Sequence, residues 1–76
     1  MITVSKDIPI AVDPEVMSGV PVFAGTRVPV SSLLENLAAG VSLDEFLENF
    51  PTVSREKAVS VLGFLRSELS ELSLAE

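Results

Sequence analysis

Asp44, Glu45 and Glu48 form the densest carboxylate group in these 76 residues, and Ser32, Ser42 and Ser54 carry the hydroxyls in the most informative positions. Neither set points to catalysis. Nucleophilic chemistry needs a nucleophile, an adjacent base and a group that orients the base, and the chain has no His and no Cys. That removes the commonest general base, the commonest zinc ligand, thiolate sites and disulfides. Each informative serine precedes a segment with helical period, where it caps a helix. The three acids fall early in the second of these helices, where negative charge complements the helix dipole, and they read as a solvated face. Gly25-Thr26-Arg27 lacks the glycine spacing and the Lys of a phosphate-cradling loop. The expectation is a protein without enzyme activity, cofactor, metal or small-molecule substrate.

The remaining chemistry is recognition. Eleven acidic residues against Lys6, Arg27, Arg55, Lys57 and Arg66 give a net charge of −6, a field that repels phosphate and suits a basic protein partner better than free nucleic acid. A DNA contact would require the few cations gathered on one face. Phe50-Pro51-Thr52-Val53 separates two helical segments, the second longer, as in a helix-turn-helix. The residues at the start of the second segment, Ser54, Arg55, Glu56 and Lys57, would then face base edges. The competing reading is that Arg55 and Lys57 only solvate the helix and pair with nearby acids.

The elements that must position these residues follow from period and punctuation. Ile8, Ile10 and Val12 alternate as in a strand, which Pro9 confines to a sheet edge or an irregular extended stretch. Asp13-Pro14 starts a connector that ends at Gly19. Residues 20–30, V-P-V-F-A-G-T-R-V-P-V, mirror about Gly25 and predict a hairpin. Neither proline can donate to a ladder, so Pro21/Pro29 should be a non-hydrogen-bonded pair and Val22/Val28 the last bonded one. The result would be a wide loop, residues 23–27, pushing Thr26 and Arg27 outward on a stalk that no further strand joins easily. From Ser31 or Ser32 the period becomes helical. The first helix is expected over 32–39 with a Gly40 stop, the second is about two turns capped by Ser42, and the third runs from the Ser54 cap through Leu72. The chain is read as a single domain, 1–76, with an extended or hairpin segment 1–30, a three-helix unit 31–72 and a tail 73–76.

A chain this short buries only about 60% of its unfolded surface, yet 47% of it is hydrophobic and its mean hydropathy is +0.49. The surplus predicts a homodimer or larger homo-oligomer. On the third helix Ala58, Leu62, Leu65, Leu69 and Leu72 recur at coiled-coil spacing, flanked by Val59, Val61 and Phe64. Leu62, Leu65, Leu69 and Leu72 are therefore the expected oligomer interface. No stretch is apolar over a membrane-spanning length and the first residues do not resemble a signal peptide, so a cytoplasmic protein with no membrane contact is expected.

The motifs Asp13-Pro14, Gly19, G-T-R-V-P-V at 25–30, Ala39-Gly40, Ser42, Glu45 and Phe50-Pro51 together resemble the small bacterial family called domain of unknown function 433. The resemblance extends to residues 58–64. It implies a mainly α, homeodomain-like three-helix (helix-turn-helix) domain with an N-terminal β segment. It also implies an antitoxin paired with a PIN-like nuclease toxin and repressing its own operator. On that basis Arg27, Arg55, Lys57 and Ser54 are the expected DNA-binding residues, and the acidic, leucine-rich end, with Glu71, Leu72 and Leu74, is the toxin-binding arm. The chain departs from the family where basic residues are common, having Val20 and Ala24 instead. The alternative is a homo-oligomeric protein-interaction module that binds no nucleic acid.

Overall fold

Pro9 shapes the N-terminal sheet. The computed structural model describes residues 2–5, by their backbone alone, and residues 7–72. Strands β1 (Ile2–Ser5), β2 (Ile8–Val12) and β3 (Val22–Phe23) form one antiparallel sheet in the order β1-β2-β3. The sequence reading has no counterpart to β1, and its presence moves β2 from the expected edge to the centre. A central proline leaves a donor missing, and the sheet absorbs the gap with an irregularity. Pairing runs Ile2↔Val12 and Thr3↔Ala11, then slips to Ser5↔Ile8, so the bulge lies beside Pro9. Toward β3 only the Pro9 carbonyl is needed, and it accepts from the Ala24 N–H at 2.9 Å. Ile10 enters the main core while Ala11, opposite Val22, is buried on the other face of the sheet.

The register of the mirrored run is the second correction. The Phe23 N–H donates to the Val28 carbonyl and the Val30 N–H to the Pro21 carbonyl, both at 3.0 Å, and Val22 bridges Pro29. Neither Val22/Val28 nor Pro21/Pro29 forms a pair. A slip of one residue still leaves Pro29 where no N–H is required, uses Pro21 only as an acceptor, and closes a tight turn in place of the wide loop. β2 joins the stalk on its free side, so the run does not stand alone.

Before that run, the Asp13 carboxylate accepts from the Glu15 N–H at 2.9 Å, the local bond expected at an Asp-Pro turn. A short left-handed turn, Met17–Gly19, follows.

Three helices complete the mainly α fold. Helix α1 (Val30–Ala38) begins earlier than Ser31 or Ser32, with Pro29 in the capping position and no side-chain cap. The Val30 N–H, one of the orphan donors of a helix start, is already satisfied by Pro21. Its end is as expected: Gly40 has φ +93, and the Val41→Asn36 and Gly40→Leu37 backbone bonds, 2.9 and 3.0 Å, form a Schellman motif. Helix α2 (Leu43–Asn49) and helix α3 (Arg55–Glu71) start at the predicted caps. The Ser42 hydroxyl accepts from Glu45 N–H and the Ser54 hydroxyl from Lys57 N–H, each at 3.1 Å.

The core draws on nearly every element. Ile10, Phe23, Val30, Leu33, Phe46, Val53, Ala58 and Val61 are all buried, with the Phe46 ring centred 6.4 Å from Phe23 and 4.7 Å from Phe50. Ala58 and Val61 thus belong to the core, and the expected seam does not lie on one free face. Leu62 and Leu65 are half-buried against the core, while Leu69 and Leu72 are exposed. Among the described residues no helix is long and apolar enough to cross a membrane. Leu74 and the tail 73–76 lie outside the described residues.

Candidate nucleic-acid and protein interface

The first turn of α3 and the turn after β3 are held together by a lysine. Lys57 sits in that first helical turn, and its Nζ donates to the Ala24 carbonyl at 2.8 Å in a partly buried position. The turn it holds is itself closed by Thr26. The Thr26 N–H donates to the Phe23 carbonyl at 2.9 Å, its hydroxyl donates to the same carbonyl at 2.8 Å, and that hydroxyl accepts from the Val28 N–H at 3.0 Å. Gly25 takes φ +80, the left-handed third position that such a turn favours for glycine. Thr26 therefore points into the turn rather than outward, contrary to the sequence reading. Arg27, the next residue, is exposed and has no ion pair or side-chain hydrogen bond among the described residues.

The other two predicted positions have local duties too. Ser54 caps α3. Arg55, in the first turn of α3, forms an ion pair with Asp44 in the first turn of α2, both side chains being well exposed. Ser54, Arg55 and Lys57 thus share the start of α3, with Arg55 facing α2, and the Lys57 bond brings the turn that precedes Arg27 beside them. Asp44, grouped with Glu45 and Glu48 in the sequence, acts here as a partner for Arg55. Among the described residues no group of three acids assembles as a metal site would require.

Between this region and β2 lies a depression of about 360 Å³, lined by Asp7, Pro9, Ala24, Ser54, Glu56 and Lys57, among others. Among the described residues its lining carries two acids, Asp7 and Glu56, against Lys57. Of the contacts that build this region, the Lys57–Ala24 bond is invisible in the sequence because the residues are 33 apart. The Thr26 closure has a local signal, a Thr that follows a Gly at the end of a strand.

The predicted oligomer and toxin positions lie elsewhere. Leu69 and Leu72 are 67% and 74% exposed at the end of α3, and Glu71 is exposed beside them.

Comparison with known proteins agrees with the motifs. The chain is 43% identical over 44 residues to the uncharacterized protein y4eO of Sinorhizobium fredii, a match covering 58% of this chain and 20% of that protein. Its fold is similar to that of a DUF433 member from Anabaena variabilis seen in a crystal structure, with TM-score 0.70 and 24% identity over 87% of this chain and 64% of that one. The chain therefore spans a fifth of the first relative and just under two thirds of the second. The family model described as "Protein of unknown function (DUF433)" matches residues 10–65, from the central strand to the half-buried Leu65 of α3, and the chain belongs to that family.

Proposed function

We propose that this chain is an antitoxin-type regulator: a homeodomain-like helix-turn-helix domain that meets operator DNA at the start of α3 and a PIN-like nuclease toxin through its acidic C-terminal stretch. The observation that carries the reading is the Lys57–Ala24 bond, which sets the Arg27-bearing turn beside the first turn of the longer helix. Arg27 and Arg55 are the phosphate ligands in this reading, Ser54 keeps its capping role, and Lys57 positions the turn rather than contacting DNA. The toxin contact is supported by charge. A net −6 complements a basic nuclease groove, and Glu71 stands exposed at the end of α3.

One observation favours a second reading, that of a homo-oligomeric interaction module without nucleic acid: Arg55 and Lys57 are both engaged within the chain. Copurification with the product of the neighbouring gene, together with titration of its promoter duplex at rising salt, separates the two. Capture of a nuclease-like neighbour and a salt-dependent shift support the regulator. A chain that captures no neighbour and shifts no promoter DNA is the module.

A further inference from the structure

Helix α3 outruns the body on which it packs. On its core-facing side Ala58 and Val61 are fully buried and Leu65 is half-buried, whereas every residue from Arg66 to Leu72 is exposed. At about 100° per residue, Leu65, Leu69 and Leu72 fall within about 60° of one another, so the stripe continues for about two turns after the core has ended. Those turns gain little from burial, the term that holds most protein helices in place.

The local terms work against them as well. Glu68 and Glu71 are i, i+3 neighbours on the helix surface, where like charges repel. Glu71 also stands beside the negative end of the helix dipole, and the last turn has no basic residue to offset it. Among the described residues neither acid is in an ion pair or a side-chain hydrogen bond. The Ser70 hydroxyl donates to the Arg66 carbonyl at 3.1 Å, a back-bond that slightly weakens a helix. Where α1 has Gly40 after its C-cap, α3 has Ser73, which lacks the glycine's freedom to close a helix end. Gly63, exposed in mid-helix, lowers the helix propensity just before this stretch begins.

We propose that residues 66–72 form a conditional helix, a segment that opens and closes on its own while the body stays folded, biased open by its two uncompensated acids and closed once their charge is offset. Closing sets Leu69 and Leu72 in line with Leu65 as one continuous apolar stripe, and opening disperses it. Glu68 and Glu71 thereby gate the presentation of the leucines. This differs from the rigid seam read in the sequence, in which all the leucines of α3 stand on one permanent surface. The device stands independently of any DNA contact.

Native-state amide exchange of the full chain, followed residue by residue by NMR and corrected for intrinsic rates, separates the two parts of α3. The amides of residues 58–62 should open only with the whole domain, and those of residues 69–72 should be at least about 30-fold less protected. Glu68→Gln combined with Glu71→Lys should raise protection at 69–72 about three- to tenfold, from the removed repulsion and the reversed dipole term, and leave 58–62 within about twofold. Glu56→Gln, which removes an acid from the favourable end of the same helix, should leave 69–72 unchanged. Protection at 69–72 within about 30-fold of that at 58–62 overturns the inference, as a face permanently covered by another chain would produce. So does a segment whose exchange ignores the change at Glu68 and Glu71, or responds as strongly to the change at Glu56.

Discussion

Replacing Lys57 by Met tests whether the basic start of α3 serves the fold or a ligand. The side chain keeps its apolar stem and loses the ammonium that donates to Ala24 at 2.8 Å. A hydrogen bond from a charged donor contributes about 1.5–3 kcal/mol, and ordering a lysine side chain costs up to about 2 kcal/mol. The bond is only partly buried, so water can reach the abandoned carbonyl, and the penalty for an unpaired acceptor is small. The net expectation is a loss of about 1 kcal/mol, or roughly 4–8 °C in Tm for a domain of this size. Urea unfolding followed by far-UV circular dichroism should show a lower midpoint at unchanged slope. Arg55→Ala is the control. Its ion pair to Asp44 is exposed, and its removal should alter stability by less than about 0.5 kcal/mol. If Lys57→Met leaves the midpoint where it was and abolishes promoter binding, Lys57 is a DNA ligand and the latch argument is wrong.

Thr26→Val removes the hydroxyl that joins Phe23 and Val28 and should cost about 1–2 kcal/mol by the same assay, with Thr26→Ser recovering most of it. Gly25→Ala should cost about 1 kcal/mol through its positive φ alone, since the added methyl would meet Lys57 Nζ at 3.6 Å, an ordinary contact. Phe46→Ala empties the centre of the core at a cost of about 3–5 kcal/mol, comparable with the whole stability of so small a domain, and the variant should show no cooperative melt. Asp44→Asn frees Arg55 and, in the regulator reading, should strengthen promoter binding at low salt; Arg27→Ala should lower the salt slope by about one per chain. Unchanged affinity and slope in both variants would remove Arg27 and Arg55 from any DNA contact.

The helices were legible where a single residue decides a boundary. Gly40, Ser42 and Ser54 act locally, through a left-handed stop or a hydroxyl three residues from its donor, and all three stand where the sequence puts them. The sheet was less legible because its pairing depends on partners distant in sequence. Pro9 looks like an edge residue until β1 arrives with a bulge to accommodate it, and the palindrome about Gly25 suggests a symmetric register that Thr26 overrides by closing the turn one residue out of phase. The leucine spacing of α3 marks an apolar stripe, but period alone cannot tell where a body ends beneath a helix. Ala58 and Leu72 carry the same pattern and lie at opposite extremes of burial. Likewise, Arg55 and Lys57 look alike in the sequence, and only the fold separates an exposed ion pair from a partly buried latch.

The distribution of positive charge is what any account of this chain must explain. With five cations against eleven acids, spending Lys57 on a backbone carbonyl and placing Arg55 against Asp44 leaves little net attraction at the start of α3. A DNA contact built on two arginines per chain would be weak in a monomer, because each phosphate contact adds only about one unit of salt slope and a correspondingly small affinity. Twofold association, as the apolar surplus of the sequence leads one to expect, would double the number of such contacts without adding a charge. A monomeric Leu69→Glu, Leu72→Glu variant should lose promoter binding even with Arg27 and Arg55 intact, whereas a module that binds only protein would show no promoter binding to lose.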